Sequence, residues 1–396
     1  MLENLKPISK DAILGVMALF RADSNNEKID LSVGVYQDEN GITPILDSVK
    51  KAEAQLIEAQ KTKSYVSISG NSIFNSSIQS LIFGKNHQAI ESGRVSTIQT
   101  PGGSGGLCIA AHLIVRSNSK AKVWIGNPSW PNHSPLLKLS GVTIEQYPYY
   151  NYESHSINFD LMLSEIDKAN EGDLILLHGC CHNPSGADLS NEQWKELGYV
   201  LKKNNLIPFI DLAYLGLGDG IEKDAFGVRF MTDLLPEVFV VSSCSKNFGL
   251  YKERVGAISI VSKDKTISEL VLENVSNIAR GVYSMPPDHG AAIVGYILNN
   301  GELRDLWKKE VGEIRDRLNS TRRLFVNKMK EKSSPKDFSF IERENGMFSF
   351  LGLTKDQIVK LREDFHIYMV ESSRINIAGV NVKNVDKIVS SIIEVL

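Results

Sequence analysis

The chain has 396 residues, 42% hydrophobic and 23% charged, with 44 Lys and Arg against 47 Asp and Glu for a formal net charge of -3. This near-balance excludes the broad basic face of a nucleic-acid binder, and the length and composition point to a globular protein of two domains rather than a disordered or fibrous one. The opening Met1-Leu2-Glu3-Asn4-Leu5-Lys6 carries no basic segment before an apolar run, and Ala12–Phe20 and Gly290–Leu298 reach only about half of a ~20-residue bilayer span, so neither a signal peptide nor a membrane helix is expected. In chain order, Leu31–Val35 reads as a Gly-containing strand, and Gly102-Gly103-Ser104-Gly105-Gly106 opens an apolar helix. Val123–Gly126, Leu174–His178, Leu206–Asp211, Val238–Ser242 and Val255–Val261 read as buried strands, being short, β-branched or Leu-rich, and bounded by turn residues. Between them, Asn191–Lys203 has the spacing of an amphipathic helix through Trp194, Leu197 and Leu201. From about residue 300 the pattern changes to a long charged helix over Glu302–Lys332, then strands at Phe338–Ile341 and Gly346–Leu351, a helix at Gln357–Phe365 and a strand at Arg374–Ala378. The alternation implies an α/β fold: a large domain over 38–313 with a mostly parallel central sheet flanked by helices, and a smaller α/β domain from 1–37 and 314–396.

In an open parallel sheet, ligands sit beyond the carboxyl ends of the strands. Four predicted strands end on chemistry-bearing residues. Val123–Gly126 leads into Asn127-Pro128-Ser129-Trp130, and Leu174–Leu177 into His178-Gly179-Cys180-Cys181-His182-Asn183-Pro184. Leu206–Ile210 leads into Asp211 and Tyr214, and Val238–Val241 into Ser242-Ser243-Cys244-Ser245-Lys246, with Arg254 beyond. Each residue also has a plainer reading. Asp211 can cap a helix, Trp130 can fill core, Asn183-Pro184 can be a turn, and His178 and His182 can be hydrogen-bonded core histidines. The Gly-rich opening at 102–106 can be a flexible turn or an anion cradle.

Three chemistries compete for these residues. Ser243 and Lys246 have the Ser-x-x-Lys spacing of penicillin-recognising acyl transferases, but the Ser-Asp-Asn and Lys-Thr-Gly companions are missing. His178, Cys180, Cys181 and His182 offer metal ligands, but adjacent cysteines on an extended chain face opposite ways, and no second ligand cluster follows, so no metal is expected. A lysine that bonds pyridoxal phosphate needs a phosphate cradle, a carboxylate for the pyridinium nitrogen, hydrogen bonds to the phenolic oxygen and an aromatic face. The cluster holds a candidate for each. The four cysteines, Cys108, Cys180, Cys181 and Cys244, make a poor disulfide framework, and a reducing cytoplasm is the expected location.

With these residues in view, the chain resembles the bacterial aspartate and aromatic-amino-acid aminotransferases, pyridoxal-phosphate enzymes of class I. The resemblance runs through Asn4 and Ile13-Leu14-Gly15, Val33-Gly34-Val35-Tyr36, Gln99-Thr100-Pro101-Gly102-Gly103 and Asn127-Pro128-Ser129-Trp130-Pro131-Asn132-His133. It continues through His178–Pro184, Ser245-Lys246-Asn247-Phe248-Gly249-Leu250-Tyr251 and Glu253-Arg254-Val255-Gly256. It implies that the large domain binds pyridoxal 5'-phosphate, with Lys246 as the Schiff-base lysine and proton carrier. It implies Asp211 as partner of the ring nitrogen, Tyr214 and Asn183 on the phenolic oxygen, and Trp130 against the ring face. Gly103, Ser104, Ser243, Ser245 and Arg254 resemble the phosphate site, and His133 and His178 are implied to act behind Asp211.

By the same resemblance, Arg374 grips the substrate α-carboxylate in a two-bond fork beside Gly34, and Arg280 binds a distal carboxylate. Tyr65 and Arg280 would reach the site of the other subunit, which implies a homodimer. The implied reaction is a ping-pong transfer from L-aspartate to 2-oxoglutarate. An aromatic donor is the alternative, and another pyridoxal-phosphate reaction such as β-elimination a more distant one. Ser32, Leu215, Cys244, Met285 and the stretch Ser67–Phe74 depart from the usual pattern and leave the donor open.

Overall fold

The computed structural model describes residues 2–6 and 12–396. The chain separates into two compact units. The larger takes Pro44–Asn183 and Ala187–Asp316, and the smaller takes the described residues up to Thr43, Pro184–Gly186 and Arg317–Leu396. The helix Gly301–Glu331 supplies residues to both.

The larger unit is built on a seven-stranded sheet: β1 (Val95–Pro101), β2 (Lys122–Asn127), β3 (Thr143–Pro148), β4 (Leu174–His178), β5 (Ile207–Leu212), β6 (Val238–Ser243) and β7 (Val255–Val261). The spatial order is β1-β7-β6-β5-β4-β2-β3. Neighbours from β6 through β3 pair in parallel, and β7 runs antiparallel to both β1 and β6. Every residue of β6 and β7 is buried, as expected for strands covered on both faces. Flanking helices include Gly102–Ser117 and Asn191–Lys203, the latter started by a capping box in which Ser190 and Gln193 bond each other's backbone. Ile98, Ile109, Val123, Leu176, Phe209 and Val241 form part of one core between this sheet and its helices.

Two strands of this sheet were not expected from the sequence. β1 carries Ser96, Thr97, Gln99 and Thr100, so it shows no apolar run; Ser96 and Thr97 instead bond Ser268 and Ser259. β3 is an edge strand with only Tyr147 buried. The arrangement puts the carboxyl ends of β1, β2, β4, β5 and β6, and the start of β7, on one edge of the sheet.

In the smaller unit, Ile29–Asp30 pairs in parallel with Ile367–Tyr368, and Phe348–Phe350 pairs antiparallel with Arg374–Asn376. Phe325, Phe338, Ile341, Ile375 and Ile388 belong to its core. Three expected strands are corrected here. Of Leu31–Val35 only Leu31 bonds strand backbone, its amide to Tyr368 O and its carbonyl from the Asn376 amide, both at 2.8 Å; beyond it side chains take the carbonyls, Arg374 Nη2 bonding Ser32 O (2.7 Å) and Asn376 Nδ2 bonding Val33 O and Val35 O (2.6 and 2.7 Å). Phe338–Ile341 falls largely in a 3₁₀ turn, Ser339–Arg343, started by Asp337, whose carboxylate accepts from the Ser339 amide and hydroxyl. The strand from Arg374 stops at Asn376, because that side chain accepts from the Ala378 amide and turns the chain into the 3₁₀ segment Ile377–Gly379. Among the described residues no helix is long and apolar enough to cross a membrane.

Candidate active site

The strand ends converge on Lys246. The chain leaves β6 at Ser243 and turns through Cys244 and Ser245, placing Lys246 Nζ 4.8 Å from the centre of the Tyr214 ring. Tyr214 follows the end of β5 and is buried. Desolvation pushes the Lys246 ammonium down to about 8; Asp211 opposes that shift and Arg254 adds to it. The amine is therefore a base and nucleophile close to neutral pH, which a solvated lysine is not.

Asp211 lies in β5, opposite His178 of β4 in the parallel register. Burial alone would raise its carboxyl, but the hydrogen bond and field of His133, with smaller contributions from His178 and Lys246, hold it below its ordinary value. His133 Nε2 is 3.0 Å from Asp211 Oδ2, and Ser129 Oγ lies 2.8 Å from His133 Nδ1 and 3.1 Å from His178 Nε2. An ionised carboxylate only accepts, so Nε2 of His133 carries the hydrogen. Ser129 Oγ thus bridges the two imidazoles, at His133 Nδ1 and His178 Nε2. Desolvation holds His178 down at about 3, so its ring is neutral. The row continues as ring contacts: His178 against His182 at 4.3 Å, and His182 stacked on Tyr149 at 4.0 Å. His178 and His182 are thus bonded or stacked groups, as the plainer reading had it. Trp130 packs edge-on against His133, at 5.2 Å.

A turn lined by hydroxyls and backbone amides precedes the lysine. The Ser245 amide and hydroxyl both contact Ser243 Oγ, at 3.2 and 3.1 Å, and Arg254 Nη1 bonds Ser245 Oγ at 3.3 Å. The helix Gly102–Ser117 starts here. Gly102, with φ +70°, lies against the Arg254 guanidinium, and a Cβ on Gly103 would stand 3.3 Å from Ser243 Cβ. Gly256 passes so close that its own Cβ would sit 2.5 Å from the Gly102 carbonyl carbon. Only bare backbone fits, which leaves the first amides of the helix and a row of hydroxyls around an arginine. Ser104, in the first turn, is half-buried.

Asn183 is buried at the end of the β4 loop. The expectation that Cys180 and Cys181 face opposite ways is corrected: Cys181 has φ +52°, the chain is not extended there, and the two side chains share a hydrogen bond. Asp188 holds this turn by accepting from the amides of Cys181 and His182, both at 2.8 Å. Among the described residues no three His, Cys, Asp or Glu side chains are grouped to hold a metal.

Of the other expected residues, Arg374 and Gly34 belong to the smaller unit, and Tyr65 and Arg280 are exposed on the larger one. In the smaller unit Arg374 is buried, its guanidinium 4.4 Å above the Phe348 ring, and a Cβ on Gly34 would meet the same ring at 3.2 Å. Tyr65 is 92% exposed, and Arg280, also exposed, bonds Ser284. The sequence reading gave no role to Ser129, Asp188, Asp224 or Asn247; the last two bind the loop after Tyr214. Ser129 shares a motif with His133, but its place between two histidines depends on His178, 49 residues along the chain.

Residues 26–392 match the family model described as aminotransferase class I and II. The aspartate aminotransferase of Escherichia coli K12 is 44% identical over 396 residues, covering 100% of both chains. The aromatic-amino-acid aminotransferase of Paracoccus denitrificans is 41% identical over 395 residues, again covering 100% of both. In three dimensions, the aromatic-amino-acid aminotransferase of Burkholderia pseudomallei, solved covalently bound to pyridoxal phosphate, matches with a TM-score of 0.98 at 42% identity, covering 100% of this chain and 99% of that one.

Proposed function

The chain belongs to the class I and II aminotransferases, and from that premise we propose that it moves the amino group of L-aspartate to 2-oxoglutarate on pyridoxal 5'-phosphate held by Lys246. It is a pyridoxal-phosphate-dependent transaminase acting on amino acids and 2-oxo acids. The observation that carries the residue assignment is a lysine amine at about 8, beside a carboxylate held low and an arginine–serine cradle. That donor set fits the cofactor: a dianionic phosphate, a ring nitrogen that takes a proton, and a carbonyl that takes an amine.

When bound, the cofactor supplies an aldehyde for amine exchange and a ring that accepts the electrons released at the substrate α-carbon. Gly103, Ser104, Ser243, Ser245 and Arg254 grip its phosphate through amides, hydroxyls and one guanidinium. Asp211, ionised and oriented by His133, keeps a proton on the ring nitrogen. Tyr214 and Asn183 donate to the ring oxygen, and Trp130 covers the ring face and excludes water. Lys246 holds the cofactor and then carries the proton at the substrate α-carbon, a task its lowered basicity suits. Arg374 binds the substrate α-carboxylate, and Gly34 and Asn183 also contribute to substrate binding.

Tyr65 and Arg280 act across a homodimer, Tyr65 on the cofactor and Arg280 on the distal carboxylate of the donor. Their exposure on the single chain supports this, since such residues are free to reach a partner. The functional division runs between a cofactor-binding part over 38–313 and a smaller part from 1–37 and 314–396, and the enzyme works in the cytoplasm. Aromatic amino acids are the second donor class, favoured by the near-equal identity to the aromatic enzyme of Paracoccus.

The test is the visible absorption of the purified enzyme before and after addition of aspartate or phenylalanine. The cofactor band is expected to be lost at a lower concentration of aspartate. The reverse order overturns aspartate as donor, and no change with any amino acid overturns the half-reaction. Arg280→Gln is expected to reduce kcat/KM for aspartate ~100-fold more than for phenylalanine, because the distal carboxylate loses its partner. Equal losses remove Arg280 from that role.

A further inference from the structure

The loop after Tyr214 has little means of holding its own shape. Tyr214-Leu215-Gly216-Leu217-Gly218-Asp219-Gly220 joins β5 to the short helix Ile221–Asp224, and three of its seven residues are glycine. Such a stretch has high conformational entropy. It forms no strand ladder, and its own backbone contributes the turn from Leu217 N to Tyr214 O at 3.0 Å. Two buried side chains from outside the loop hold the rest. Asp224 Oδ2 accepts from Gly216 N (2.8 Å) and Gly218 N (3.0 Å), and Asp224 Oδ1 accepts from Asp219 N (2.7 Å). Asn247 Nδ2 donates to Leu215 O at 3.1 Å.

Asn247 is the residue directly after Lys246, so a single amide joins the lysine's loop to the tyrosine's. It is itself held from behind. Its carbonyl accepts from the Trp307 indole at 2.8 Å, and Trp307 lies flat on Phe248 at 4.4 Å. Both bracing side chains are expensive to bury. Asp224 is 7% exposed and Asn247 3%, the Asn247 Oδ1 atom has no hydrogen-bond partner among the described residues, and desolvation pushes the Asp224 carboxyl up to about 6 against three backbone donors. An apolar loop would avoid these costs but would not fix Tyr214.

We infer that Asn247 and Asp224 are positioning residues, which hold the Tyr214 hydroxyl in register with Lys246 by clamping Leu215–Asp219. The inference rests on the roles proposed for Tyr214 and Lys246. Neither positioning residue touches the cofactor in this scheme; both act through the loop.

The test uses the cofactor-loaded enzyme and reads the pH midpoint of its visible band. A hydroxyl that donates to an oxygen anion favours the less protonated form, so Tyr214→Phe is expected to raise the midpoint by roughly one pH unit. Asn247→Ala and Asp224→Asn are expected to move it the same way, by ~0.3 to ~0.7 unit. Asp173→Asn is the structural control: Asp173 bonds the Trp124 indole and the Lys122 amide at the other edge of the sheet. That variant is expected to lower Tm and leave the midpoint in place.

If Tyr214→Phe shifts the midpoint and both positioning variants leave it unchanged, the inference fails. If Tyr214→Phe itself does nothing, the reading of Tyr214 fails with it. Amide hydrogen exchange in the unsubstituted enzyme gives a measurement that no folding defect can spoil. Gly216, Gly218 and Asp219 are expected to exchange as slowly as the amides of β5, and exchange at the rate of an unprotected loop overturns the clamp.

Discussion

Asp211 and Asp224 are equally buried in the larger unit, each 7% exposed, yet their carboxyl groups are displaced in opposite directions. Asp211 accepts from His133 and lies in the field of Lys246, and its carboxyl falls below the ordinary value. Asp224 accepts three backbone amides, is further repelled by Asp188, and rises to about 6. The difference separates two uses of a buried acid. Three backbone amides fix the loop but do not offset the loss of water around Asp224, whereas the hydrogen bond and field of His133, with smaller contributions from His178 and Lys246, do so for Asp211. Asp211 is held charged, and Asp224 holds a loop.

This contrast orders the expected effects of substitution. The largest lies at Lys246, whose charge is one of those that hold the Asp211 carboxyl low. Lys246→Ala is expected to bind cofactor and lose turnover by three or more orders of magnitude, as for removal of a covalent catalyst that is also the base. Near-normal steady-state turnover removes Lys246 from its role. Next come the two acids themselves. Asp211→Asn keeps the shape and removes the charge, and kcat is expected to drop by roughly 100-fold or more. Asp224→Asn is expected to lose less than ~10-fold, because only loop geometry changes. Equal losses in the two variants break the comparison.

The smallest effect is in stability, and here the sign separates the acids. The folded state holds the Asp224 proton up to about 6, whereas the unfolded chain releases it near 3.8. The folded state therefore binds more protons within that window, and Asp224 makes stability fall as pH rises from 3.8 to 6. Asp211 has the opposite slope. Its folded-state value lies below 3.8, so its ionised form stabilises the fold above that pH, and the contribution is lost as pH falls through the depressed value. Urea unfolding at pH 4 and pH 7 checks this. Relative to the unsubstituted protein, Asp224→Asn is expected to gain on the order of 1–3 kcal/mol between the two conditions. A difference that is the same at both pH values places the Asp224 carboxyl at its ordinary value.

Much of this fold was legible along the chain. β2, β4, β5, β6 and β7 stand out as short apolar runs, and β4, β7 and the helix Asn191–Lys203 have the residue limits the pattern suggested. β1 and β3 were hidden because strand periodicity reports burial: one has serine and threonine turned to side-chain partners, and the other lies at a sheet edge. Leu31–Val35 misled in the opposite sense. It looks like a strand, but Arg374 and Asn376, more than 300 residues away along the chain, take its carbonyls.

The candidate site divides in the same way. Lys246, Tyr214, Asp211 and Asn183 were visible because each lies at or just past a strand end, where a local pattern reports position. The order of apolar and polar residues, and with it the sheet and its ligand edge, is therefore determined by the sequence alone, since hydrophobic periodicity is a local property. Only the tertiary structure decided that Lys246 titrates at about 8, that Asp211 is held low while Asp224 is raised, and that Asn247 ties one loop to another. Those properties arise from desolvation and from hydrogen bonds between residues far apart in the chain, such as His133 and Asp211, and no window of sequence contains both partners.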